Sequence, residues 1–144
     1  MSPGPPSYEI VVPSQEEVRS GVLGRRLREF NYGFVGEYPE SQSVWLNAKD
    51  LSGRLLGGLR GFVFMEWLHV DVLFVEEESR GSGIGGRLLA EAETRAKSLG
   101  ARNAKLETLE WQARAFYLKH GYEEFARIEG FKAGFHLAYM RKEL

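Results

Sequence analysis

Hydrophobic positions along the chain switch between a two-residue and a three-to-four-residue period, and the switches mark the predicted elements. Tyr8-Glu9-Ile10-Val11-Val12 reads as a short strand stopped by Pro13. Ser14 followed by Glu17 is a capping-box pattern and predicts a helix start. Val18, Val22, Leu23, Leu27 and Phe30 form its apolar face, which Gly21 and Gly24 weaken. Residues 31–42, with Gly33, Gly36 and Pro39, read as a loop or a short second helix. Ser43 to Lys49, a turn over Asp50-Leu51-Ser52-Gly53, and Arg54 to Met65 predict strand, hairpin turn and a glycine-interrupted strand; Glu66 to Val75 is another strand.

The period then lengthens. Ile84, Leu88, Ala92, Ala96 and Leu99 repeat as a helix face, Glu91–Arg95 and Glu93–Lys97 form i,i+4 pairs, and Gly100 supplies the stop. Arg102 to Leu109 predicts a strand, Trp111 to His120 a helix closed by Gly121, and Tyr122 to Glu129 and Phe135 to Lys142 the last two strands. The order β-α-β-β-β-α-β-α-β-β predicts a mixed α/β (α+β) fold with a twisted, mainly antiparallel sheet. A crossover through a helix returns the chain parallel, so segment 66–109 predicts one parallel or splayed strand pair.

Composition narrows the classes. With 144 residues, 43% of them hydrophobic, the chain has material for one domain and one core, expected over 7–144 behind a disordered Ser/Pro/Gly lead-in, 1–6. Nineteen basic against 20 acidic residues leave no polyanion-binding excess, so no nucleic-acid partner is expected. No cysteine is present, which excludes disulfide staples, thiolate metal sites and a cysteine nucleophile. Three scattered histidines give no metal-ligand spacing, and no metal is expected. No run of eighteen apolar residues predicts a membrane span, and the N-terminus lacks signal-peptide character; a cytoplasmic location is the expectation.

The 17 glycines concentrate at 53–61 and 81–86. The second cluster, within Val75-Glu-Glu-Glu-Ser-Arg80-Gly81-Ser82-Gly83-Ile84-Gly85-Gly86, joins a strand to a helix N-terminus. Such an end carries unpaired N–H groups and partial positive charge, glycines admit close approach, and Arg80 adds a cation: together, a place for phosphate oxygens. A P-loop is excluded, because Arg87 and Leu88 follow where Lys and Ser/Thr are required. Gly81-x-Gly83-x-x-Gly86 matches a dinucleotide fingerprint formally, but too little chain follows for a doubly wound fold. The third match is an [Arg/Gln]-x-x-Gly-x-[Gly/Ala] pyrophosphate loop, Arg80-Gly81-Ser82-Gly83-Ile84-Gly85.

With that loop, Leu73-Phe74-Val75 before it, and Ala113-Arg-Ala-Phe116-Tyr117-Leu-Lys-His-Gly121-Tyr122 after it, the chain resembles the GNAT N-acyltransferase superfamily. The resemblance implies an acyl-CoA-dependent N-acyltransferase with acetyl-CoA as donor, transferring directly to a small-molecule primary amine. The pantetheine arm would lie where two strands splay, bonded by backbone near Leu73, Phe74 and Val75. The amides of Gly81, Ser82, Gly83, Ile84 and Gly85 and the Arg80 side chain would hold the pyrophosphate, with Phe116 beside them. Tyr117 would protonate the leaving thiolate. The family's Asn contact to the cofactor arm is replaced by Glu110.

His69 and Asp71 share a strand face by alternation, and Leu73 and Val75 are expected to continue it. His69, oriented or assisted by Asp71, is the candidate base, with Glu107 or water as the alternative; a satisfied structural pair is the plain reading. His120 at a helix C-terminus reads as structural. Residues 24–39 and 128–135 are expected to line the acceptor side. A catalytically inactive CoA-binding module and a small nucleotide-binding domain are the rival functions, and a homodimer stays open.

Overall fold

The computed structural model describes residues 3–144; Met1 and Ser2, part of the expected lead-in, lie outside the described residues. Two compact units are present, the segment up to Tyr38 and Pro39–Leu144. No helix among the described residues is long and apolar enough to cross a membrane.

In the first unit the strand expected over 8–12 does not form. Ile10 and Val12 stand 92% and 95% exposed in chain without regular structure. An apolar period of two makes a strand only where a neighbouring edge takes up the backbone groups, and this segment pairs with none among the described residues. Helix α1, Gln15–Arg19, starts where the capping pattern places it: Ser14 Oγ accepts from the Glu17 amide at 3.1 Å. Gly21, at φ +68°, then breaks the helix, and α2 runs over Val22–Val35, longer than predicted. Gly33 is absorbed into it, and Gly36, whose amide bonds the Tyr32 carbonyl at 2.9 Å, ends it.

The second unit holds β1 (Gln42–Lys49), β2 (Leu55–Phe64), β3 (Trp67–Val75), α3 (Ile84–Ser98), β4 (Asn103–Leu109), α4 (Arg114–Lys119), β5 (Glu123–Ile128) and β6 (Leu137–Glu143). Among the described residues these strands form one sheet, ordered β1-β2-β3-β4-β6-β5, antiparallel except for the β3–β4 pair. Asp50 closes the first hairpin by accepting from the Ser52 and Arg54 amides at 2.9 and 3.0 Å, and the hydrogen bonds of that turn hold its carboxyl below the usual range. Leu88, Leu89, Ala92 and Ala96 of α3 pack on one sheet face against a core that includes Leu59, Leu68, Leu106 and Met140. α4 starts later than predicted. The Leu109 amide bonds Gln112 Oε1 at 2.6 Å and the Ala113 amide bonds Thr108 Oγ1 at 3.3 Å, so residues 110–113 turn instead of winding into helix.

Two irregularities shape the C-terminal half of β3. The parallel pairing of β3 with β4 stops at Val70–Leu106; beyond it β3 stays with β2 and β4 with β6, so the sheet splits. Asp71 is also an extra residue in β3: Arg60 faces Val72 while Gly61 faces Val70. Such a bulge reverses the side-chain alternation.

Candidate functional site

The bulge corrects the expected face. Leu68 and Val70 point into the core before it, Leu73 packs against that core after it, and Val75 joins the same side, where a Cβ on Gly85 would meet its Cγ2 at 3.7 Å. His69, between two core residues, therefore faces away from Leu73 and Val75, not with them. The β2 glycines serve this region by backbone contact: a Cβ at Gly57 would lie 2.7 Å from the Phe74 carbonyl oxygen, and one at Gly61 would strike the His69 carbonyl oxygen.

Past the split, β3 runs through Glu76 and a single 3₁₀ turn, Glu77–Ser79, into the glycine loop. Ser82 Oγ donates to the Ser79 carbonyl at 2.5 Å, and the first intrahelical bond of α3 runs from the Arg87 amide to the Gly83 carbonyl at 3.1 Å. The amides ahead of it are the orphan donors of a helix start. Gly81 and Gly83 adopt φ of +82° and +87° and face open space, so they leave room for a ligand. Gly85 and Gly86 do something else: a Cβ on Gly85 would lie 3.4 Å from the Phe116 ring and one on Gly86 2.9 Å from the His120 imidazole, so their missing side chains admit these rings. α4 thus docks on the first turn of α3, through Phe116 and His120, whose rings lie 4.5 Å apart. Arg80 folds back: its Nε donates to the Val75 carbonyl at 2.9 Å and its guanidinium lies 5.5 Å from the Phe74 ring centre. That carbonyl keeps a second lone pair for a ligand donor.

Tyr117 is buried on α4, edge-on to Phe116 at 5.2 Å and to Tyr122 at 5.8 Å. The two tyrosines differ in their hydroxyls. That of Tyr122 donates to Glu93 Oε2 at 3.0 Å, and Lys142 Nζ holds the other oxygen at 2.7 Å. That of Tyr117 has no protein partner among the described residues and is not among buried unsatisfied atoms, so its oxygen keeps some contact with solvent. Burial pushes the Tyr117 phenol above its usual range, which keeps it protonated at neutral pH.

On the opposite sheet face, His69 stacks on Phe62 with ring centres 4.5 Å apart. Desolvation, then the nearby Lys105 charge, lower its pKa; the Asp71 charge opposes them. Asp71 makes no hydrogen bond to His69, so its influence is through charge alone. Tyr117 and His69 are thus on different faces of the sheet.

Glu110, at the position where the resemblance leads one to expect Asn, has a structural partner. Its Oε1 lies 2.5 Å from His136 Nδ1, its amide donates to the His136 carbonyl at 3.0 Å, and Trp111 meets Phe135 edge-on at 4.9 Å. The turn after β4 is thereby clamped to the 129–136 loop. Spacing alone could not show this pair, which is 26 residues apart in sequence. Nor could it show that Lys105, Phe125 and Tyr139 surround His69 and Asp71 in one hollow of about 210 Å³.

Residues 40–124 match the family model described as an acetyltransferase (GNAT) domain. Blasticidin-S acetyltransferase of Streptomyces morookaense is 43% identical over 93 residues, which cover 64% of this chain and 68% of that protein. Peptidyl-lysine N-acetyltransferase YjaB of Salmonella typhimurium is 36% identical over 118 residues, 82% of this chain and 73% of that one. The crystal structure of an acetyltransferase from Bacillus cereus superposes with a TM-score of 0.79 at 28% identity, covering 95% of this chain and 98% of that chain.

Proposed function

The chain belongs to the GNAT acetyltransferase family, and we propose that it transfers the acetyl group of acetyl-CoA directly to a primary amine of a small molecule. The observation that carries this is the splitting of β3 from β4 at Val70–Leu106, directly before the open glycine loop. It leaves β3 backbone from Asp71 to Phe74 without a strand partner on one side, and one lone pair of the Val75 carbonyl beside Arg80, for the amide-rich pantetheine arm. The Gly81–Gly85 amides and Arg80 would take the pyrophosphate, as unpaired helix-start donors and a cation take anions.

The reaction joins the amine nitrogen to the thioester carbonyl carbon and breaks the carbon–sulfur bond. The sulfur leaves with the bond's electron pair and takes one proton, and the nitrogen, arriving as an ammonium, gives up one before attack; its other N–H proton, lost after attack, re-protonates the acid. Tyr117 supplies the first: its accessible hydroxyl and raised pKa suit an acid that must stay protonated until a thiolate forms. His69 accepts the second: it is held neutral near pH 7, and a neutral imidazole is competent to deprotonate an ammonium, directly or through water. The small-molecule acceptor is supported by the 43% identity to an acetyltransferase named for blasticidin S. The 36% identity to a peptidyl-lysine acetyltransferase favours a protein acceptor as the second reading.

A thermal-shift comparison tests the donor. Acetyl-CoA should raise Tm by mass action while NAD and ATP do not; NAD or ATP stabilising the protein while acetyl-CoA has no effect would overturn the reading. CoA release with free amines against lysine peptides then separates the two acceptor classes.

A further inference from the structure

The sheet face opposite α3 carries a row of side chains in cross-strand register. Phe62 faces His69, His69 faces Lys105, Lys105 faces Arg141, and Arg141 faces Glu123. Two hollows of about 420 and 210 Å³ lie along this row and share His69, Lys105 and Phe125, so they form one trough. One end has Asp71 and Glu107, at the split between β3 and β4. The other is walled by Phe64 and Trp67. Trp67 to Asp71 spans roughly 13 Å of extended strand, the length of a small molecule with a ring.

Ion pairing separates the charges around the trough into two sets. Arg141 is bound to Glu123 at 2.9 Å and lies over Phe125 at 4.8 Å. Nearby carboxylates are likewise occupied: Glu124 by Arg114 and Arg127, Glu110 by His136. Asp71, Glu107 and Lys105 have no hydrogen bond or ion pair among the described residues, and all three line the hollow at the split. Two unpaired anions and one unpaired cation, beside aromatic walls, complement a ligand that carries both signs.

Resting on the acetyl-transfer reading above, we propose that the acceptor is a small aromatic zwitterion. Its primary amine is held by Asp71 and Glu107 beside His69, its anionic group by Lys105, and its flat apolar body by Phe125 and Trp67. Lys105 is two residues before Glu107 on β4, about 7 Å along the strand, and its flexible four-carbon stem lets the ammonium reach a carboxylate close to the amine. A polyamine is disfavoured on the same grounds: its second ammonium would lie against Lys105 and Arg141. Lys105 is thus the specificity-determining residue, and its charge also bears on His69 across the strand pair.

The test measures kcat/KM for L-phenylalanine, phenethylamine, spermidine and a lysine-bearing peptide at saturating acetyl-CoA. Phenylalanine should exceed phenethylamine, which lacks only the carboxylate, by about tenfold or more, as a charge-assisted contact implies; spermidine and the peptide should be poorer still. Lys105→Gln should collapse the phenylalanine-to-phenethylamine ratio to within about twofold, and Lys105→Glu should invert it. The Tm rise with acetyl-CoA, measured on each variant, shows that the fold and donor site persist. An unchanged ratio in Lys105→Gln, preference for spermidine or the peptide, or acetyl-CoA stabilisation without turnover of either aromatic amine overturns the inference and leaves acetyl transfer standing. If acetyl-CoA fails to stabilise the parent chain, the underlying reading falls and the inference with it.

Discussion

Tyr117→Phe, paired with Tyr122→Phe, separates chemistry from packing, because the two rings share one aromatic cluster and differ in what their hydroxyls do. Removing the Tyr122 hydroxyl breaks a 3.0 Å hydrogen bond to a carboxylate whose side chain is 13% exposed. Hydrogen bonds to charged groups are worth about 1.5–3 kcal/mol. Lys142 stays on Glu93, which puts the expectation at the lower end. At roughly 3–4 °C per kcal/mol for a chain this size, Tm should fall by about 5 °C. Removing the Tyr117 hydroxyl breaks no protein hydrogen bond, so stability should stay within about 0.5 kcal/mol. Activity should show the reverse. General-acid assistance contributes about 10²–10⁴-fold, so kcat in Tyr117→Phe should drop by that factor with acetyl-CoA affinity preserved, while Tyr122→Phe keeps most of its kcat. Differential scanning calorimetry and single-turnover acetylation read both quantities, the second without interference from product release. Full single-turnover rate in Tyr117→Phe would refute the acid assignment. Equal loss in both variants would place the effect in ring packing.

The remaining predictions concern the base, the loop and the clamp. His69 has a depressed pKa, so kcat/KM should rise with pH along a limb centred below about 6.5; His69→Gln should lack that limb, and Lys105→Gln should move it upward. The sign carries over to stability: a histidine that resists protonation in the fold stabilises above its unfolded pKa, and that contribution is lost as pH falls through the folded value, seen as acid-side loss of Tm. Gly83→Val places a side chain in open space at φ +87°, at a backbone cost of about 1–3 kcal/mol; the protein should fold with a raised KM for acetyl-CoA. Arg80→Ala should weaken binding of the same donor about tenfold, read by titration calorimetry. Glu110→Ala removes the acceptor for His136; amide exchange over 129–136 should quicken and the amine KM rise with donor KM unchanged, whereas unaltered exchange would show that the clamp does not order the loop.

Wherever the determinant was local, the chain itself decided the outcome. The Ser14–Glu17 cap, the Asp50 turn, the 3.6-residue face of α3 and the glycine loop act over a few residues, so their geometry comes from adjacent side chains and backbone freedom. The crossover rule likewise makes β3 and β4 parallel whatever their contacts. Tertiary structure decided what depends on partners distant in sequence. Tyr8–Val12 has the pattern of a strand and no edge to pair with. Gly85 and Gly86 belong to a phosphate-loop motif by spacing, yet their empty Cβ positions are filled by Phe116 and His120 from α4. Glu110 meets His136, and Lys105 meets His69, only once β4 lies between β3 and β6. The face of His69 is the plainest case. Alternation along β3 sets it with Val75, but the register with β2 makes Asp71 a bulge and reverses the alternation. Pairing register is a property of two strands together, so neither strand's own residues could reveal it.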